Sequence, residues 1–433
     1  MKNDRENSSH ESDAVSRLLA DVPIPRVIKI RQTFERASID DIDGTFAEKL
    51  EMSGILESVT SGMTIAVGVG SRGIANQPRI LRLLLDELKS RGGVPFIVPA
   101  MGSHGGATAA GQKSMLEGMG VDESTMGVPI RATMDTVNIG ESANGLPVGI
   151  DRFAHEADAL VVINRIKPHV AFRGSYESGL MKMIAIGLGK QRGAEVCHES
   201  GFGSMAENIP SIARSFIESV NIIGAIALVE NAYHETCRIE VMHKDRIEAF
   251  EPELLDQANA LAAKIHFDEF DALIIDEIGK DISGTGFDTN VVGRYHTPFA
   301  HGGPNISRVS VLDLTDASHG NANGIGIADF TTRRLFDKMR FDQTYPNSLT
   351  TTVPASVKIP MVLANDRQSI QAAIRTCNIR DKRAIKLVRI KNTISLETIE
   401  ISESLVETAK GNPSVEIIGE SYLLKFDERG NLF

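Results

Sequence analysis

The 433 residues are 42% hydrophobic and 24% charged, an ordinary composition for a folded enzyme with room for two or three domains. Acidic residues outnumber basic ones by 57 to 46, and the net charge of −11 argues against nucleic acid or an anionic membrane as a partner. The three cysteines, Cys197, Cys237 and Cys377, form no CxxC pair, which argues against a disulfide framework, a zinc ribbon or an iron–sulfur cluster.

The first seventeen residues are polar and mixed in charge, and residues 1–20 read as a disordered leader rather than a signal peptide. No apolar run reaches the roughly 18 residues needed to span a bilayer, so the cytoplasm is the expected location. From there the pattern alternates. Met63 to Gly70 predicts a strand, Gln77 to Gly92 an amphipathic helix, Val94 to Gly102 a strand and Ala107 to Gly120 a helix. Strands follow at Ala157 to Asn164 and Ile222 to Asn231, with helices at Pro210 to Val220 and Glu251 to Ile265. Strands at Phe270 to Gly279 and Arg308 to Thr315, each followed by a glycine-rich loop, repeat that grammar. The expected fold is α/β: two domains with mainly parallel sheets and a cleft between them, divided into 21–266 and 267–433. The strand-like tail, from Val415 onward, can pair with either domain.

Functional side chains concentrate on loops just past buried strands, where a rigid sheet holds them within reach of ligand. The first strand runs into VGVGSRG, which places Gly68, Gly70 and Gly73 in a GxGxxG pattern. A dinucleotide site also wants a carboxylate at the end of the next strand. That strand ends in Pro99, Ala100, Met101 and Gly102, so a turn whose amides and Arg72 hold a carboxylate or phosphate fits better. His104 stands among Ser103, Gly105 and Gly106, small neighbours that leave its imidazole accessible as a general base. In NRIKPH, Pro168 keeps the segment extended, so Arg165, Lys167 and His169 share a side. Two cations there suit an anionic substrate and favour a neutral histidine. Lys182 lies among Leu180, Met181, Met183 and Ile184, where desolvation lowers a lysine pKa and makes the amine a nucleophile. The loop from Lys280 to Arg294, with Ser283, Asp288 and Asn290, suits substrate contact or domain closure, and the loop holding His319, Asn321, Asn323 and Asp329 sits equivalently. Both patterns are equally those of structural turns. Other histidines, His296 and His301 among them, have no comparable setting.

Taken in order, Arg72, His104, His169, Lys182 and His198, sixteen residues past that lysine, resemble the lactate racemase family, nickel-pincer-dependent racemases and epimerases of 2-hydroxyacids. The resemblance covers Ile65 to His198 and extends loosely beyond. It implies a pyridinium mononucleotide carrying nickel, attached covalently to Lys182, bordered by Gly68, Gly70, Ser71 and Gly73, and completed at the metal by His198. It implies His104 and His169 as acid/base groups on opposite substrate faces. Arg72 would hold the substrate carboxylate, with Lys280 as a second-domain substrate ligand. Hydride transfer from C2 and its return to the other face would invert the centre, and cofactor-biosynthesis enzymes would be required partners. Three departures point to a 2-hydroxyacid larger or more polar than lactate. Glycines rather than an arginine follow His104, the segment between His169 and Lys182 is longer, and tryptophan is absent. Tyr176 and Glu177, in the longer segment, are expected to shape that preference. Two other readings stay open: an NAD-type oxidoreductase, and a non-enzymatic binder of a small organic anion.

Overall fold

A computed structural model of the chain describes residues 13–432. The expected leader falls outside that range up to residue 12. Its remainder includes the helix Ala14–Leu19, whose Leu19 is buried and whose Ser16 and Leu18 bond Gln368 and Arg375 of the helix Asp366–Thr376.

After β1 (Val27–Gln32) the chain alternates helix and strand through β2 (Thr64–Val69), β3 (Val94–Pro99), a ribbon of β4 (Thr136–Glu141) and β5 (Pro147–Asp151), β6 (Ala159–Arg165), β7 (Ile222–Glu230) and β8 (Thr236–Met242). One sheet has the order β3-β2-β6-β7-β8, parallel except for β8. Its strands are buried on both faces, hence their unbroken apolar sequences. Ile65, Val67 and Val69 pack beneath the helix Gln77–Ser90, through its buried Ile80, Leu81, Leu84, Leu85 and Leu88. Ala66 faces the other way, into the core shared by Met181 and Phe216.

The second sheet contains β9 (Glu269–Ile278), β10 (Asn305–Leu314), β11 (Phe330–Thr332), β12 (Met361–Leu363), β13 (Leu387–Ile390), β14 (Thr398–Ser402) and β15 (Val415–Ile417). The order is β12-β11-β10-β9-β13-β14-β1-β15, parallel as far as β13 and antiparallel beyond it. The protein is therefore α/β with mostly parallel strands. Sequence reading puts β1 in the 21–266 unit; the structure seats it between β14 and β15, and the tail pairs onto it. A strand alternating buried and exposed residues, as VIKIRQ does, fits any antiparallel site, and nothing local names its partner.

Two segments, 33–41 and 262–268, carry the chain between the sheets. The buried Gln32 side chain gathers them: its amide nitrogen donates to Leu396 O at 2.7 Å and Lys264 O at 3.3 Å, and its oxygen accepts from His266 N at 2.7 Å. Among the described residues no helix is long and apolar enough to cross a membrane.

Candidate active site

From β2 the chain crosses to β3 on one side, whereas β6 continues to β7 on the other. Loops leaving the carboxyl ends of β2 and β6 thus diverge, opening the crevice where α/β sheets bind ligands. The loop after β9, a strand of the second sheet, closes it. The resulting cavity, about 300 Å³, is lined by Ser71, Arg72, His104, His169, Lys182, His198 and Lys280, with Arg165 and Lys167 at its wall.

His104 owes its position to glycine. Gly102, Gly105 and Gly106 all have positive φ, and a Cβ on Gly105 would lie 2.6 Å from the Gly111–Gln112 backbone. Gln112 donates from its amide to Gly102 O at 2.8 Å and His104 O at 3.3 Å, holding the loop from below. His104 Nδ1 lies 2.6 Å from Ser71 Oγ. Burial, then the charges of Arg72, Lys280 and Lys182, hold its pKa well below the ordinary 6.5.

His169 follows a short bridge in which Lys167 and Ser178 exchange backbone hydrogen bonds. Its own N–H donates to Glu177 Oε2 at 2.6 Å, and its ring packs 4.5 Å from Phe172. Ala171 N–H donates to His169 Nδ1 at 3.1 Å. An amide can only donate, so Nδ1 keeps its lone pair and the neutral ring carries its proton on Nε2. Burial, then Lys182, His198, His296 and Lys167, depress this pKa too. Lys182 lies within electrostatic reach of both histidines.

Lys182 ends the helical turn Leu180–Lys182 and is followed by one turn of π-helix, Met183–Gly187, a distortion common at functional sites. Glu251 Oε2 accepts from Met181 N at 2.9 Å at the start of the turn, and Asn164 Nδ2 donates to Gly179 O at 2.9 Å. Burial lowers the Lys182 pKa to about 8. No carboxylate pairs with it among the described residues. Cys197 beside it is pushed up to about 12 by burial and stays a thiol. His198 lies on the helix Lys190–Glu199, where Nδ1–H donates to Ala194 O at 2.7 Å. That bond fixes the tautomer and leaves the Nε2 lone pair free, and burial holds the pKa near about 4. The helix is anchored by the buried ion pair Lys190–Asp151, 2.8 Å, with Lys190 also bonding Pro99 O and Gln112 Oε1.

Arg72 is desolvated, lies against Gly284 and has no carboxylate partner among the described residues. Lys280 Nζ donates to Gly284 O at 2.6 Å, and burial, then Arg72, lowers its pKa to about 7. Arg165 and Lys167, expected to hold substrate, spend their charge on Glu230 and, at 3.3 Å, Asp288. Gly70 and Ser71 border the cavity, whereas Gly68 and Gly73 do not. A Cβ on Gly68 would meet Val162, Ala100 and Leu188 inside the core, so Gly68 faces the core rather than the cavity. Tyr176 and Glu177 also lie off the cavity: Tyr176 bonds Glu248 O, and Glu177 sits behind the His169 loop. In the second-domain loops only Lys280, Ser283 and Asn323 of the named residues line the cavity. Asp288 caps a short helix, Asn290 holds Arg173, and Arg294 pairs with Asp329 at 2.7 Å. Sequence reading missed His296, which lines the cavity edge-on to Phe202, because no strand delivers it directly.

Residues 32–209 match the family model of the lactate racemase N-terminal domain. No curated protein sequence matches the chain at a significant level. Among solved structures, the lactate racemase apoprotein from Thermoanaerobacterium thermosaccharolyticum is similar with a TM-score of 0.53 at 15% identity, over 86% of this chain and 99% of that one. At that identity the likeness is one of fold. Residues 32–209 are thus similar to the lactate racemase N-terminal domain, and the fold of the chain is similar to that of a lactate racemase.

Proposed function

We propose that the protein is a racemase or epimerase acting at C2 of a 2-hydroxyacid. One observation carries the reading: two histidines held neutral by burial share a desolvated lysine, beside an arginine and a second lysine that no carboxylate among the described residues neutralises. Arg72 and Lys280 bind the substrate carboxylate; the arginine's fork suits bidentate contact. His104 and His169 exchange the hydroxyl proton from opposite faces. His169, protonated on Nε2, donates there, and His104 accepts at Nε2 when Ser71 Oγ takes its Nδ1–H.

The donor set fits a nickel-pincer nucleotide. Lys182 is the amine for its attachment and His198 Nε2 the free imidazole ligand. No group of three or more metal-ligating side chains exists among the described residues. When bound, such a cofactor supplies a reversible acceptor for the C2 hydride. The NAD-type reading loses support, because the strand that follows the GVGSRG turn ends in Pro99, Ala100, Met101 and Gly102, with no carboxylate for a ribose hydroxyl. Anion binding without turnover would explain Arg72 and Lys280 but not the buried Lys182. In protein loaded with cofactor, His104→Ala and His169→Ala should each lower inversion by at least about a hundredfold while the mass increment at Lys182 persists. Full activity in either variant would refute the assigned roles.

A further inference from the structure

We infer that Arg173 is a positioning residue for His169: it fastens the backbone of that histidine to the loop after β9 and so fixes where the imidazole stands in the cleft. The inference rests on the proton-transfer role proposed for His169, and it adds a residue that does not line the cavity.

The segment from His169 to Arg173 follows β6 of the first sheet, yet the loop after β9 of the second sheet bonds its backbone. Thr289 Oγ1 donates to Val170 O at 2.7 Å, Thr297 Oγ1 donates to Ala171 O, and Arg173 N donates to Phe299 O at 2.9 Å. His169 gets its link through the Arg173 side chain. Nη1 donates to His169 O at 2.6 Å and to Phe172 O at 3.1 Å. It also lies 3.4 Å from Glu177 Oε2, the oxygen that accepts the His169 N–H. Nη2 reaches the loop, donating to Asn290 Oδ1, to Tyr295 Oη at 2.9 Å and to His301 O at 2.9 Å, and Nε donates to His301 O at 3.1 Å. The guanidinium also sits over the Tyr295 ring, 5.3 Å from its centroid.

A guanidinium holds its N–H donors in one rigid plane, so the edge facing His169 and the edge facing the loop are fixed relative to each other. A lysine offers a single flexible point charge and cannot span both. His104 has no such tie: Gln112 holds its loop and Ser71 its ring, all within the part of the chain that surrounds the first sheet. The two histidines are therefore placed from different sides of the cleft. A displacement of about 1 Å, caused by a mutation remote from the chemistry, can cost about a hundredfold in rate. Loss of Arg173 should thus reach turnover through His169 while leaving the carboxylate site at Arg72 and Lys280 in place.

The test compares the wild type with Arg173→Ala and with Asn290→Ala, which cuts the loop side of the link but spares the Arg173–Glu177 pair. In protein whose Lys182 adduct has been verified by mass, Arg173→Ala should lower kcat and kcat/KM together by about tenfold to a hundredfold. Asn290→Ala should act in the same direction, more weakly. The Arg173 side chain is 24% exposed, so guanidinium ion from solvent can enter the place it leaves. At concentrations well below those that unfold the protein, that ion should restore most of the loss in Arg173→Ala and none in His169→Ala. In cofactor-free protein, amide hydrogen exchange should accelerate over residues 169–174 in both variants and stay unchanged in the strands of the two sheets. Unchanged turnover in loaded Arg173→Ala would overturn the inference, as would a rise in KM alone or exchange that accelerates throughout both sheets. If Arg173→Ala does not fold, Asn290→Ala decides by the same readings. If the loaded wild type inverts no 2-hydroxyacid, the racemase reading fails by itself. Exchange then decides the inference: local acceleration at 169–174 upholds the tie, and unchanged exchange overturns it.

Discussion

His104 and His169 stay neutral for the same main reason, burial, but present different faces to a substrate. The amide of Ala171 pins His169 in one tautomer, whereas a serine hydroxyl that can donate or accept leaves His104 free to change. The pH behaviour follows. A buried imidazole whose pKa lies well below 6.5 remains neutral as the pH falls through 6.5, so turnover should show no acid limb there and should decline only at lower pH. Lys182, near about 8, gains its neutral nucleophilic form as the pH rises, so cofactor attachment should accelerate up to about pH 8 and then level off. A pH–rate profile with a limb at 6.5 would contradict the burial argument. His104 and His169 were legible in the sequence because each follows an apolar strand within a few residues, and Lys182 because its neighbours are apolar. His296 was not, since only the tertiary path of the loop after β9 brings it to the cleft.

Among the elements, the helix bearing His198 depends on one buried charge pair. Lys190 and Asp151 are both fully buried, and together they join β5, the end of β3 and the helix Lys190–Glu199. Removing one partner leaves the other charge buried alone, which costs about 3–5 kcal/mol. Asp151→Ala should therefore lose about that much in urea unfolding, whereas a change under about 1 kcal/mol would mean the pair is not structural. The strands β2, β3, β6, β7, β9 and β10 were legible as apolar runs bounded by glycine or polar turns. The β4–β5 ribbon was not, because its exposed and half-buried residues give no apolar run. The helices Phe341–Thr351 and Asp366–Thr376 also went unread.

At the scale of the whole molecule, a chain of net charge −11 concentrates uncompensated cations at one cleft between two sheets. Among the described residues no carboxylate lines the cavity with Arg72, Lys182 and Lys280, so the field at the site favours an anionic ligand. Gln32 ties both interdomain segments together beside β1, the strand whose sheet the sequence could not specify. The proposed chemistry of this cleft is built on Lys182 and His198. Its most direct test is intact mass and metal content of the protein produced together with pincer-synthesis enzymes. The expected result is a mass increment on the peptide containing Lys182 and about one nickel per chain, both lost in Lys182→Ala. Unmodified protein without nickel, from cells in which a control racemase matures, would contradict it.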